Sequence, residues 1–466
     1  MFVGRERELE ELERYYKQDA FQFAVFYGRR RVGKTTLINR FRKDKKSVYF
    51  VAVESTAKEN LELFSRQIIS TLAPEAPQNP FASFAETFEY CFRAAEKRRL
   101  VLVIDEYPYL AESDRAVSSV LQAAIDKYQA KSRLFLILCG SSMSFMETQV
   151  LGYKSPLYGR RTCQFKIAPF HYYECAKMFG GFTTEEKITL YGVLGGIPEY
   201  AARVNNSLSL AKNIEDLFFN PSGRLFEEPS NLLKQELKVP QTYNGIITAI
   251  ACGASKLNEI ATKTGIETSQ CSNMLNTLIS LGIVKKESPV AENRPRKTIY
   301  RLADLMFRFW YRFVLPDLSR ISMGFGKTVC AEVLGGAKAS GKIEAHTGYV
   351  FEELAVQFLW WEMSRGNCNF KSIGRWWGSN PRERREEEID LLAVNDEGPV
   401  IFGECKWKNT RIDTDTLEDL IRKSLLFSQY EKKQYFLFSK SGFTAGLKKT
   451  ALARGDTVLI EPGDMF

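Results

Sequence analysis

The chain has 466 residues, 44% hydrophobic and 26% charged, an ordinary globular composition with apolar material for about two to four domains. Lys and Arg outnumber Asp and Glu by 65 to 56, a formal charge of +9 that invites polyanions without identifying one. Nine cysteines with no CxxC spacing argue against structural zinc or a disulfide framework, and only two histidines, His171 and His346, leave little room for histidine chemistry.

The N-terminal "MFVGRERELEELER" is charged throughout and has no signal-peptide apolar region. No apolar run approaches the ~20 residues of a membrane span, so a cytoplasmic protein with no membrane partner is expected. "FQFAVFYGRRRVGKTTLINRF" then reads as a buried strand, a loop and a helix. The loop has the Gly28-x-x-x-x-Gly33-Lys34-Thr35 spacing of a phosphate-binding loop. Its glycines let backbone N–H groups turn inward around phosphates, and the following helix points its positive end at them. Gly28, Arg29, Arg30, Arg31, Val32, Gly33, Lys34, Thr35 and Thr36 are thus the expected ATP-binding run, with Thr35 placed to ligate Mg²⁺. A second Gly-Lys-Thr at 326–328 lacks the upstream glycine and strand and reads as linker.

"RRLVLVIDEYPYL" supplies a buried parallel-type strand, Leu100 to Ile104, with two acids at its carboxyl end. Asp105 is expected to hold Mg²⁺ through water, and Glu106 to orient and deprotonate the attacking water. A third strand, "RLFLILCGSS", ends in Ser141 and Ser142, one of which could sense the terminal phosphate; Ser141 is the expected one. In "SPLYGRRT", Arg160 or Arg161 could neutralise charge on the transferred phosphoryl group, in cis or from a neighbouring subunit. A surface basic pair is the competing reading.

Together "FVGRERELEEL", "GRRRVGKTTL", "VIDEYPYL", "LCGSS", "SPLYGRRT" and "LGGIPEY" (194–200) resemble the archaeal-type ATPase family, in the AAA+/STAND branch of P-loop proteins. The resemblance implies an ATPase core, a winged helix and often a C-terminal nuclease-type domain. Self-association through the ATPase domain is a further expectation.

Residues 255–263 and 268–280 predict two helices around the turn "TGIE", with apolar stripes at Leu257, Ile260 and Ala261 and at Met274, Leu275, Leu278 and Leu281. "GIVKKES" and "RKTIYRL" predict two strands around the basic loop "AENRPRK", which makes a winged helix-turn-helix. One reading puts Ser269, Gln270 and Asn273 near base edges and Lys285, Lys286, Arg294, Arg296 and Lys297 near phosphates, with DNA as partner. The other makes the unit a lever packed on the ATPase core. "RLADLMFRFWYRFV" reads as a packing helix and residues 316–344 as a linker.

"EIDLLAVNDEGPVIFGECKWK" (388–408) predicts a β-hairpin centred near Glu397. A symmetric hairpin sets Asp390 directly across from Glu404, with Lys406 on the same face. Facing acids are tolerated if a divalent cation lies between them or one is protonated. Asp390 and Glu404 are therefore candidate Mg²⁺ ligands, with Mn²⁺ as a substitute, and Lys406 stands beside the water or scissile phosphate. The arrangement resembles the PD-(D/E)xK nuclease superfamily over roughly 345–440. That likeness implies another acid from the preceding helix, for which Glu352 in "GYVFEE" is chosen over Glu353. The competing reading is a structural ion pair. In "GRWWGS" (374–379) stacking on nucleic acid competes with packing.

The expected fold class is α/β: a P-loop parallel-sheet ATPase domain (1–225), a winged helix-turn-helix (240–315), a linker (316–344) and an α/β restriction-endonuclease-like domain (345–466). The expected function couples ATP hydrolysis to DNA binding and Mg²⁺-dependent phosphodiester cleavage by Glu352, Asp390, Glu404 and Lys406. The alternative is an ATP-controlled switch whose last domain binds nucleic acid without cutting it.

Overall fold

The run Gln22–Tyr27 has every residue buried, and this is the signature of a strand covered on both faces. In the computed structural model, which describes residues 2–77, 79–291, 297–335, 341–381 and 383–466, it forms β1 of a five-stranded sheet. The others are β2 (Ser47–Val51), β3 (Leu100–Asp105), β4 (Leu134–Gly140) and β5 (Cys163–Lys166). Their order is β2-β3-β4-β1-β5, all parallel. On one face Phe50 of β2 stacks on Phe64 with ring centres 4.6 Å apart. On the other, Phe135 of β4 packs at 5.3 Å against Phe41 of the helix Lys34–Arg42. The carboxyl ends of β1, β3 and β4 lie along one edge, where the loops carrying the predicted nucleotide residues leave the sheet.

The chain divides into two compact units, the first ending at Pro169 and the second starting at Phe170. Residues 170–225, expected with the ATPase domain, fall in the second unit. The reason is local packing: Gly192 of the helix Thr184–Leu194 meets Val350 of the helix Lys342–Ser364 so closely that an added Cβ would lie 2.9 Å away.

The second unit continues with helices Pro240–Ala251, Leu257–Thr264 and Thr268–Ser280, then an antiparallel ribbon of β6 (Val284–Glu287) and β7 (Ile299–Leu302). Arg294 and Arg296 of the predicted basic loop lie outside the described residues. All of the helix Leu305–Phe313 is buried except Arg308 and Arg312. Within the predicted linker, Leu318–Arg320 and Gly326–Leu334 are α-helix. Gly326 explains the order there, because a Cβ would lie 1.7 Å from the Phe219 carbonyl oxygen.

The last sheet has the order β12-β11-β10-β9-β8, from β8 (Ser372–Asn380), β9 (Arg385–Val394), β10 (Val400–Lys406), β11 (Lys433–Ser439) and β12 (Thr457–Ile460). β8, β9 and β10 are antiparallel neighbours, while β11 and β12 join in parallel. Trp376 is buried edge-on to Phe427, ring centres 5.0 Å apart, so it serves packing.

Gly326→Ala should lower stability by about 1–3 kcal/mol through overpacking against the Phe219 carbonyl. Thermal melting monitored by circular dichroism measures it; an unchanged melting temperature would show that the helix can shift freely.

Candidate functional site

The loop after β1 wraps around its own lysine. Lys34 Nζ donates to the carbonyl oxygens of Gly28 and Arg29, both at 2.8 Å. Gly28 (φ 153°) and Gly33 (φ 90°) take backbone conformations that side chains rarely adopt. At Gly28 a Cβ would also lie 2.3 Å from the Ile167 oxygen. Arg31 adopts φ 69°, and Val32 is fully buried. Thr35 and Thr36 open the helix Lys34–Arg42 on its exposed side. Burial holds the Lys34 ammonium below its usual pKa, partly opposed by Cys139, Glu106 and Asp105.

Asp105 and Glu106 stand together at the end of β3. Thr35 Oγ1 donates to Asp105 Oδ2 at 3.0 Å, and the Glu106 N–H to Asp105 Oδ1 at 2.9 Å. Glu106 sits in the left-handed region (φ 50°), and its Oε2 accepts from Ser141 Oγ at 3.0 Å. The start of the helix Lys34–Arg42 and the ends of β3 and β4 thus bring together Lys34, Thr35, Asp105, Glu106 and Ser141. Thr35 with Asp105 offers the hydroxyl and carboxylate that a Mg²⁺–nucleotide would use. Arg30 lies 3.5 Å from the Tyr109 hydroxyl. Arg160 is engaged elsewhere: its guanidinium forks onto Asp126 with two bonds of 2.7 Å. A phosphate role for Arg160 requires that fork to open.

Two participants escaped the sequence reading. Tyr49 of β2 donates its hydroxyl to Asp105 Oδ2. Buried Arg5, inside the "GRERELEEL" stretch, donates to the Val32 carbonyl at 3.2 Å and to that of Ala168, tying the phosphate loop to the exit of β5. An arginine amid acids gave no sign of this, since the contact spans distant parts of the sequence.

In the second unit the hairpin register is Ile401↔Ala393, Phe402↔Leu392 and Gly403↔Leu391. One further step of the same register would set Asp390 across from Glu404. Asp390 Oδ2 accepts the Cys405 N–H at 2.9 Å, and Lys406 donates to Glu404 Oε1. Glu404 Oε2 is buried and has no described hydrogen-bond partner, with Lys423 Nζ at 3.6 Å. Lys423 was missed, yet it sits three residues after buried Leu420 on the inner stripe of the helix Thr414–Ser424. Burial and then Glu352 push the Asp390 pKa up; burial and then Asp390 do so for Glu404; burial raises Glu352 as well. Burial opposes the Lys406 ammonium, but Glu404 carries its pKa above the usual value.

Glu352 lies 3.7 Å from Arg301 of β7 and 3.6 Å from Arg375 of β8. Lys285 forms ion pairs with Glu287, at 2.6 Å, and Glu353, so it faces acids within the fold and not a phosphate backbone. Lys297 pairs with Glu386 at 3.0 Å. Ser269, Gln270 and Asn273 are exposed on the helix Thr268–Ser280. Among the described residues no three His, Cys, Asp or Glu side chains converge tightly enough to hold a metal alone. The facing pair and the orphaned Glu404 oxygen nevertheless fit a divalent ion, which needs oxygen ligands and relieves repulsion between acids.

Residues 2–204 match the family described as an ATPase domain predominantly from Archaea. Residues 310–424 match one described as archaeal and bacterial proteins of unknown function. An uncharacterized protein of Methanocaldococcus jannaschii is 32% identical over 473 aligned residues, covering 100% of both chains. An uncharacterized ATP-binding protein of the same organism is 52% identical over 46 residues, 10% of this chain and 78% of that one. The Walker-type ATPase of Pyrococcus abyssi superposes with a TM-score of 0.51 at 20% identity, over 67% of this chain and 96% of that one, which is a likeness of fold. No described helix is long and apolar enough to cross a membrane.

Folding favours the protonated forms of Asp390 and Glu404, so their cost to stability is absent below the ordinary carboxylate range and grows as pH rises through the raised values. Asp390→Asn should therefore raise the melting temperature at about pH 7–8 by roughly 2–4 °C, with the gain shrinking toward about pH 4. A pH series of melts checks this; equal gains at both ends would remove the buried-charge explanation.

Proposed function

The chain belongs to the archaeal ATPase family, and from that premise we propose that it couples ATP turnover to DNA binding and metal-assisted phosphodiester cleavage by its last domain. In the ATPase site Lys34 binds the outer phosphates, Glu106 positions and deprotonates water, and Ser141 holds the Glu106 carboxylate in place. Thr35 and Asp105 would hold Mg²⁺. Lys34→Ala should abolish ATP binding, and Glu106→Gln should keep binding while cutting turnover about 10²–10⁴-fold. Nucleotide-binding and phosphate-release assays measure both, and full turnover in Glu106→Gln would remove its assigned role.

The observation that carries the cleavage reading is the Asp390 carboxylate on the Cys405 N–H, next in the chain to Glu404, with Lys406 on Glu404. Asp390 and Glu404 would hold Mg²⁺ or Mn²⁺, which when bound supplies charge relief and an activated water. Lys406 then neutralises a phosphate oxygen, and Glu352 adds a third acid beside the pair. Exposed Ser269, Gln270 and Asn273 lie on the helix Thr268–Ser280, which would act as the second helix of a winged helix-turn-helix and enter a major groove.

The second reading is a switch that binds nucleic acid without cutting it. Lys406 and Lys423 favour it, because together they already neutralise much of the Glu404 charge. Incubating wild type and Asp390→Ala with plasmid and linear DNA, Mg²⁺ or Mn²⁺, and each nucleotide state separates the two. Cleavage should depend on Asp390; intact DNA throughout, or equal trace nicking by both proteins, assigns the switch.

A further inference from the structure

Residues from five segments of the second unit line a half-open cavity of about 580 Å³. Its described lining contains four arginines and no acid: Arg301 from β7, Arg308 and Arg312 from the helix Leu305–Phe313, and Arg375 from β8. Arg308 and Arg312, the two residues of that helix that are not buried, stand one turn apart and line the cavity beside Tyr311. Like charges at this spacing repel and weaken a helix, a cost that ordinary packing does not explain.

The charges are unequally compensated. Arg301 and Arg375 share Glu352, and each has a further acid, Glu287 at 3.5 Å and Glu388. No described carboxylate pairs with Arg308 or Arg312. Arg308 Nη1 instead donates to His346 Nδ1 at 2.6 Å, while His346 Nε2 donates to the Gly192 carbonyl at 2.8 Å. A ring that donates through Nε2 and accepts through Nδ1 is the neutral imidazole, so it leaves the guanidinium charge intact. The buried His346 is held well below its usual pKa by burial and by Arg308 itself. Burial, with Arg312 and Arg301, also pushes Arg308 down to about 10. Arg308 and Arg301 lie over the Tyr349 ring, at 3.7 and 4.1 Å, which fixes their planes without neutralising them. Ile250, Ile299 and Leu302 form an apolar wall.

A preorganised guanidinium cluster is the chemistry that grips a phosphate through paired N–H donors. The volume far exceeds one phosphate and lies in the range of small-molecule sites, and the apolar wall suits an organic body. We propose that this cavity is a phosphomonoester-binding site, with Arg308 and Arg312 on the phosphate and the Ile299–Leu302 side against the rest of the ligand. The phosphate could belong to a free mononucleotide or to the 5′ end of a nucleic-acid strand. The site is distinct from the phosphate loop and stands whether or not the Asp390–Glu404 pair cleaves DNA. It shares Glu352 with that pair, so an occupant that draws Arg301 and Arg375 inward changes the charge around the acids.

The test uses the full chain carrying Lys34→Ala, which silences the phosphate loop, in EDTA to prevent metal-dependent cleavage. Calorimetric titration with AMP, inorganic phosphate, and a short oligonucleotide with either a 5′-phosphate or a 5′-hydroxyl reads the site. We expect saturable one-to-one binding of AMP, or tighter binding of the 5′-phosphorylated strand than of its 5′-hydroxyl twin, and the tighter of these identifies the source. Affinity should fall as salt rises, and Arg308→Gln and Arg312→Gln should each weaken it at least tenfold. If Arg308→Gln unfolds in a circular dichroism melt, Arg312→Gln decides alone. No saturable uptake of any probe, or affinity unmoved by Arg312→Gln, overturns the proposal.

Discussion

Charge taken out of water before it is fully neutralised is the constraint that shapes this protein. Lys34 is buried against two carbonyl oxygens, which orient an ammonium but do not cancel its charge. Asp390 and Glu404 are buried against each other, with backbone N–H and lysine donors as partial relief. A buried ion lacking full compensation costs several kcal/mol, and only a rigid framework keeps it in place. Both sites meet that need by standing on a sheet: at the ends of β1, β3 and β4 in one unit, and within β9 and β10 in the other. The framework of the first site is built from strands buried along their whole length, β1, β3 and β4.

That pattern also explains what could be read from sequence. The strands of the first sheet announce themselves as unbroken apolar runs, and Gly28, Gly33, Lys34, Asp105 and Glu106 are adjacent to them in the chain. The facing of Asp390 and Glu404 followed from strand alternation and the turn centre alone, because a hairpin is a local structure. Tyr49, Arg5, Lys423, Arg301 and Arg375 were not legible as site residues. Each reaches its partner through tertiary folding, and an isolated tyrosine or arginine carries no spacing that marks it. The division at Pro169 escaped for the same reason: helices 170–225 join the second unit through close contacts such as Gly192 on Val350, which no periodicity reveals.

Arginine does three kinds of work here. Arg5 ties loops by their carbonyls, Arg160 clamps Asp126 on the outside of the first unit, and the cluster at Arg301, Arg308, Arg312 and Arg375 concentrates positive potential in a concave space. Composition gives all of them the same letter and the same +1. Their surroundings separate them, through the presence of a carbonyl, a carboxylate or a neutral imidazole as partner.

The β6–β7 ribbon is stitched to the last domain by charge at unequal depth. Near its base Arg301 meets Glu352 with both side chains largely shielded, 13% and 22% exposed. Toward its tip Lys297 meets Glu386 at 45% and 66% exposure. Dissolved ions screen the outer pair readily and the inner one poorly. Rising ionic strength therefore loosens the outer ion pair while the inner one holds, so the grip between ribbon and sheet depends on the surrounding medium as well as on the fold.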